Sequence, residues 1–418
     1  MTDHPRPDAR QLEYQDWEFG VFVHFGIRTF HEGHRDWDGQ PMDPARFLPT
    51  ELDCDQWAAT AAAAGARYMV LTAKHHDGFA NWPSKYTDFS VAKSSWRGGK
   101  GDVVREFTDA CRRHGLKVGL YYSPMDASGK TYDDDCAYDD YFINQISELL
   151  VPYGKIDILW FDGCGSAGHT YDWPRICGEI RRMQPEVLIF SMGDPDFRWV
   201  GNELGMAPSP CWNTVRRAPF AMDTAQQSEQ AVPVWLPAEC DCRMRLQNWF
   251  YSDADEETVK SPAELMGLYY LSVGRGCNLL LNIGPDRRGL LPERDVRSLL
   301  DFGREVQRRF RCPVRTLADF TRSEDGRRYE MSLPEPTLLD HLVLQEELAD
   351  GEHVRRWRVE CNPNHLGTWV LLGQGESLGH KAIVRFPLCA VRRLRVTLEE
   401  TDGAASLRSA SAYRVERW

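Results

Sequence analysis

The chain has 418 residues, 42% of them apolar and 27% charged, with a formal net charge of −12. That length exceeds one average domain and fits a barrel of about 250 residues or more followed by a smaller module. The negative balance argues against a general binder of nucleic acid or anionic membrane, since both are polyanions, and no run of about eighteen apolar residues is present to span a bilayer.

The first residues, Met1-Thr2-Asp3-His4-Pro5-Arg6-Pro7-Asp8, contain no apolar segment of the kind a signal peptide needs, so a cytoplasmic protein is expected. Its twelve cysteines are scattered, and Cys240 and Cys242 are too close for an ordinary disulfide or a zinc knuckle. Reduced thiols are the simplest account.

A strand over 20–26 runs into His24 and Gly26, and a polar loop with Arg35, Asp36, Trp37 and Asp38 follows. Residues 55–64 are alanine-rich and read as a helix with Asp55 as its cap and Gly65 as its stop. The next strand, 66–72, leads to Lys74-His75-His76-Asp77-Gly78-Phe79. A helix over 101–114, a strand over 116–122 ending at Tyr121 and Tyr122, and a helix over 138–150 come next. Ile156-Asp157-Ile158-Leu159-Trp160-Phe161 is an apolar strand that delivers Asp162 to its end, just before Gly163. A helix over 174–183 and a strand over 187–190 follow.

Strand and helix alternate, and the polar clusters fall after successive strands. In a parallel barrel those ends converge on one face, whereas in a doubly wound sheet they split about a switch point. The reading is an irregular (β/α)8-like (TIM) barrel. Residues 208–237, rich in Pro and Trp, read as long loops over its mouth. Ser261-Pro262-Ala263-Glu264 is a helix start with a Ser cap and a capping-box Glu. Residues 278–283 form the last barrel strand and 292–309 a charged amphipathic helix. Beyond that, short β-like runs at 342–344, 356–359, 369–372, 383–386 and 394–398 recur at roughly ten-residue spacing, as in a small antiparallel β-sandwich. The expected domains are a barrel over 1–312 and a sandwich over 313–418.

An Asp before Gly commonly caps a helix or closes a turn. Asp162, however, shares its predicted face with His24, His75, His76, Asp77, Tyr121, Glu203 and Glu239, and with several of fourteen tryptophans: Trp37, Trp82, Trp160, Trp199, Trp212, Trp235 and Trp249. Indole faces stack on sugar C–H faces while hydroxyls need His or carboxylate partners, so a carbohydrate suits the mixture. A glycosidase needs two carboxyl groups. Asp162 supplies one, and Glu203 and Glu239 are both candidates for the other. A metal centre built from His24, His75, His76, Asp77 and Asp162 is the rival reading. Neighbours in an extended chain face opposite ways, so His75 and His76 would hardly share an ion, and no His-x-His or His-Glu-x-x-His spacing exists. No catalytic metal and no cofactor is expected. A non-catalytic carbohydrate binder would lack a carboxylate that is present here.

The motifs together resemble the α-L-fucosidases of glycoside hydrolase family 29. They are Phe19-Gly20-Val21-Phe22-Val23-His24-Phe25-Gly26, Lys74-His75-His76-Asp77-Gly78-Phe79, Trp82-Pro83-Ser84-Lys85-Tyr86, Gly119-Leu120-Tyr121-Tyr122-Ser123, Trp160-Phe161-Asp162-Gly163 and Asn278-Leu279-Leu280-Leu281-Asn282-Ile283-Gly284-Pro285, in the family's order. The resemblance implies a retaining exo-α-L-fucosidase acting on a fucosylated oligosaccharide or glycoconjugate. It makes Asp162 the nucleophile, and His24, His75, His76, Tyr121 and Trp160 the residues holding the fucose. Trp37 matches an aromatic that usually follows a Glu; here Asp36 stands in that place. The segment from Arg198 to Glu203 resembles the subfamily selective for α-1,3/4-linked fucose in branched glycans, which makes Glu203 the acid/base. Glu239 is then the runner-up or a neighbouring substrate-binding residue. A broader or α-1,2/1,6 linkage preference, or another exo-α-glycosidase, is the alternative.

Overall fold

The computed structural model describes residues 4–31, 41–222, 227–363 and 367–416. The first five strands stand close to where the sequence puts them: β1 (Phe19–Val23), β2 (Tyr68–Lys74), β3 (Lys117–Tyr122), β4 (Ile158–Phe161) and β5 (Leu188–Phe190). The next part is more structured than long loops. β6 is the two residues Arg198–Trp199, and β7 (Thr214–Pro219) pairs antiparallel with β8 (Gln227–Trp235). β9 (Ala238–Arg243) and β10 (Asn278–Asn282) follow. Eight strands lie in the order β5-β4-β3-β2-β1-β10-β9-β6, every pair parallel. A parallel bridge between Phe190 and Phe197 brings the two ends together, so the barrel is nearly closed.

Helices α1 (Ala9–Trp17), α2 (Cys54–Ala63), α3 (Val103–Arg113), α4 (Asp135–Leu150), α5 (Trp173–Met183), α6 (Pro262–Leu271) and α7 (Glu293–Phe310) complete the layer. Among the described residues no α-helix lies between β5 and β9, which makes the barrel irregular. None is long and apolar enough to cross a membrane. Asp53, not Asp55, caps α2: its carboxylate accepts the Gln56 N–H at 2.9 Å, and Asp55 sits inside the first turn. The expected Ser261–Glu264 capping box on α6 is formed.

The two-residue period of the strands sorts the interior. Phe22, Tyr68, Val70, Tyr121, Ile158, Trp160, Leu188, Phe190 and Leu280 fill the lumen, and Tyr14 and Trp17 of α1 close its lower end. Gly20 has no side chain because the Tyr68 ring occupies that space; a Cβ there would stand 2.5 Å from the ring. The alternate set, including Val21, Val23, Met69, Leu71, Leu120 and Leu159, packs outward.

The C-terminal region is one antiparallel sheet, joined through two long strands. It comprises β11 (Arg315–Thr316), β12 (Thr321–Arg322), β13 (Arg328–Glu346), β14 (Val354–Asn362), β15 (Val370–Gly375), β16 (Ala382–Thr401) and β17 (Leu407–Tyr413). The runs at 383–386 and 394–398 therefore belong to a single strand. Register shifts interrupt β13 between Ser332 and Thr337 and again near His341, opposite Arg385 and Cys389 of β16. Pro334, Pro336 and Pro387 fall in these interruptions, where a missing N–H is tolerated. Both halves of the long strands line one apolar cluster, from Tyr329 and Met331 to Leu342 and Leu344.

The other face of this sheet sits on the barrel. Val343, Tyr413 and Val415 pack around Phe310, and Tyr270 bridges His341 at 2.8 Å and Arg309 at 2.9 Å. Glu352 reaches the root of the β7–β8 hairpin, where it accepts the N–H groups of Asn213 and Thr214 at 3.0 and 2.9 Å. All twelve cysteines are free thiols.

Candidate active site

The upper ends of the barrel strands surround a cavity. His24, His75, His76, Tyr121, Trp160 and Asp162 all line it, and so does Glu203 from the loop after β6. Asp36 and Trp37 lie outside the described residues.

Asp162, one residue past β4, is held on both oxygens. The Tyr121 hydroxyl donates to Oδ2 at 2.9 Å and the Cys164 N–H to Oδ1 at 2.8 Å. His76 Nε2 stands 3.4 Å from Oδ2. Burial pushes this carboxyl up, but His76 and the donors outweigh it and hold Asp162 below the usual carboxylate range. The His76 ring is set by Ser123, which gives its own proton to the Met125 carbonyl and so accepts from Nδ1 at 2.6 Å.

His24 is fixed by Asn282. The amide nitrogen of Asn282 donates to the Trp249 carbonyl at 2.7 Å, which turns its oxygen toward His24 Nδ1, also at 2.7 Å. Nδ1 therefore carries the ring proton. Burial lowers the His24 pKa to about 3, so the neutral ring offers Nε2 as an acceptor for a hydroxyl. Burial likewise keeps His75 neutral, and its buried Nδ1 has no hydrogen-bond partner among the described residues.

His75 and His76 do not face opposite ways. β2 ends at Lys74, and a turn closed by the Gly78 N–H on the His75 carbonyl follows. The extended-chain rule lapses there, and both rings reach the cavity with centroids 4.4 Å apart. Asp77 turns away, accepting the Phe79 N–H at 2.7 Å and facing Arg28 at 3.5 Å.

Glu203 keeps 26% of its side chain exposed and stands 3.5 Å from Arg243. Burial raises its pKa; Arg243 pulls it down, and the Asp162 charge pushes it up, leaving it above the usual range. Asp241 lines the same wall, accepts the Trp199 indole N–H, and is raised by burial and by Glu203. The sequence reading passed over Asp241. Its signal was the spacing: two residues after Glu239 in a strand, it must share that residue's inward face.

Glu239 is not among the residues that line the cavity. It has no exposed surface, and its carboxylate accepts Tyr14 and Tyr68 hydroxyls at 2.8 and 2.7 Å and the Trp160 indole N–H at 2.8 Å. It lies one layer below the cavity and orients Trp160, which stacks on Tyr121 and Phe190 as the cavity floor. Glu239→Ala leaves three buried donors unmatched and is expected to cost on the order of 3 kcal/mol. Glu239→Gln, which keeps an acceptor, should lose clearly less in urea unfolding. Equal stability of Glu239→Ala and the parent would refute this role.

Of the other tryptophans singled out, Trp199 and Trp249 line the cavity. Trp82 is core, bonded to Glu148 at 2.9 Å, and Trp212 lies under Arg355 beside the C-terminal sheet.

The α-L-fucosidase family model matches residues 4–309. The chain is 33% identical to α-L-fucosidase 1 of Arabidopsis thaliana over 419 residues, covering 91% of this chain and 82% of that protein. It superposes on a glycoside hydrolase 29 family member from an unknown rumen bacterium with a TM-score of 0.89 and 33% identity, covering 99% of this chain and 78% of that one. Barrel and C-terminal sheet thus have their counterpart in one family. The chain belongs to the α-L-fucosidases of glycoside hydrolase family 29 and is a glycoside hydrolase.

Proposed function

We propose that the enzyme removes terminal α-L-fucose with retention, by double displacement, and prefers α-1,3/4-linked fucose on branched glycans. The observation that carries the mechanism is one cavity with two oppositely tuned carboxyl groups, Asp162 below its ordinary range and Glu203 above it. Asp162 attacks the anomeric carbon; Glu203 protonates the leaving oxygen and then takes a proton from the attacking water. His24 Nε2 is placed to accept from a sugar hydroxyl, and the neutral His75 ring lines the cavity beside it. The aromatic wall of Phe22, Phe190 and Trp199 suits the ring face and methyl of a 6-deoxy sugar.

Support for the linkage preference comes from the Arg198–Glu203 segment, which resembles that subfamily. The β7–β8 hairpin adds to it: Phe220 and Met222 extend the cavity wall outward, and Met222 is 57% exposed. Such a wall offers surface for the rest of a branched glycan. A simple aryl α-L-fucoside and an α-1,3/4-fucosylated branched trisaccharide should be compared by kcat/KM. The trisaccharide is expected to be the better substrate, and the reverse order overturns the linkage preference.

A further inference from the structure

The nucleophile and acid/base leave one reactive group in the cavity unused. Cys164, two residues past Asp162, is an exposed free thiol on the same wall. A donor atom from each of His76, Asp162 and Cys164 lies within 4.8 Å of the other two. His76 presents Nε2 to this group, 3.4 Å from Asp162 Oδ2, while Ser123 holds Nδ1. A hydrogen bond of that kind on the far ring nitrogen is what orients metal-ligating histidines and fixes their tautomer. One sulfur, one imidazole nitrogen and one carboxylate oxygen, with a fourth position open to the cavity, is a tetrahedral zinc donor set. Calcium and magnesium prefer oxygen throughout. The Asp162 carboxylate sets a negative charge beside the thiol, which a divalent cation offsets.

We propose that His76, Asp162 and Cys164 form an inhibitory site for zinc. On binding, the Cys164 thiol releases its proton to solvent, the thiolate takes the metal, and nothing is oxidised or reduced. The metal also takes the Asp162 lone pair that attacks the sugar, so zinc and substrate exclude each other. This inhibitory consequence rests on Asp162 being the nucleophile; the binding does not.

Cobalt(II) added to the reduced protein is expected to give a thiolate-to-cobalt absorption band that zinc displaces and that Cys164→Ala lacks. Zinc should inhibit hydrolysis of an aryl α-L-fucoside, with EDTA restoring the rate. The inhibition constant should weaken at least ~10-fold in Cys164→Ser and in Ser123→Ala, each scored against its own metal-free rate. Absence of the cobalt band in the parent, or the same band in Cys164→Ala, overturns the site. Cobalt binding without zinc inhibition of an active enzyme overturns the inhibitory role. If no fucoside is hydrolysed at all, the proposed function fails, while the cobalt spectra still decide the site.

Discussion

Replacing Asp162 by alanine or glycine is expected to lower kcat by about 10⁴-fold or more, the scale seen when a covalent nucleophile is removed. Folding should be little affected. The Asp162 side chain is 24% exposed, and its Tyr121 and His76 neighbours border a cavity that water can enter. The loss is specific to the mechanism and can be tested by rescue. Azide fits the space left by the carboxylate and attacks the anomeric carbon from the same side, in one displacement, so the product is the inverted glycosyl azide. Turnover of Asp162→Ala equal to that of the parent would remove Asp162 from the reaction.

The second large effect concerns Glu203. Glu203→Ala is expected to lose about 10² to 10⁴ in kcat on substrates with poor leaving groups, the usual range for a general acid–base. Aryl fucosides with acidic phenols, which leave without help, should lose much less in the first step. Azide should then trap the glycosyl-enzyme with retained configuration. The pH profile carries the sign. The proposed mechanism requires Asp162 ionised and Glu203 protonated in the free enzyme. Activity therefore falls on the acid side as Asp162 takes a proton, below the ordinary carboxylate range, and on the alkaline side as Glu203 loses one, above it. Glu203→Gln should abolish the alkaline fall in kcat/KM. Persistence of that limb in the variant would assign it to another group, of which Asp241 is nearest in character.

In the proposed double displacement, the same geometry lets one carboxyl serve as acid and then base. The Asp162 charge is among the causes holding Glu203 protonated. When Asp162 becomes an ester, that charge is gone, and Glu203 releases its proton more readily just when the second step needs a base.

Local sequence determined the strand-and-helix alternation, the capping of α6, and which strand ends carry chemistry. Each depends on short-range spacing or on side-chain to backbone bonds a few residues apart. It also brought Asp162, His24 and Tyr121 together, because the ends of parallel strands converge whatever the loops do. Tertiary structure decided what surrounds Glu203 and Glu239. Both are glutamates near aromatics, and residue type alone does not separate them. Residue 239 points into the barrel one layer down, where Tyr14, Tyr68 and Trp160 arrive from three distant parts of the chain to claim its oxygens. Residue 203 sits in a loop that returns to the mouth, near Arg243 and within reach of the Asp162 charge. β9 was hidden for the same reason: Ala238-Glu239-Cys240-Asp241-Cys242-Arg243 carries two acids on its inward face, and the sequence assigns it no strand. A buried carboxylate is stable only if other segments supply its donors, and those segments are known only after folding.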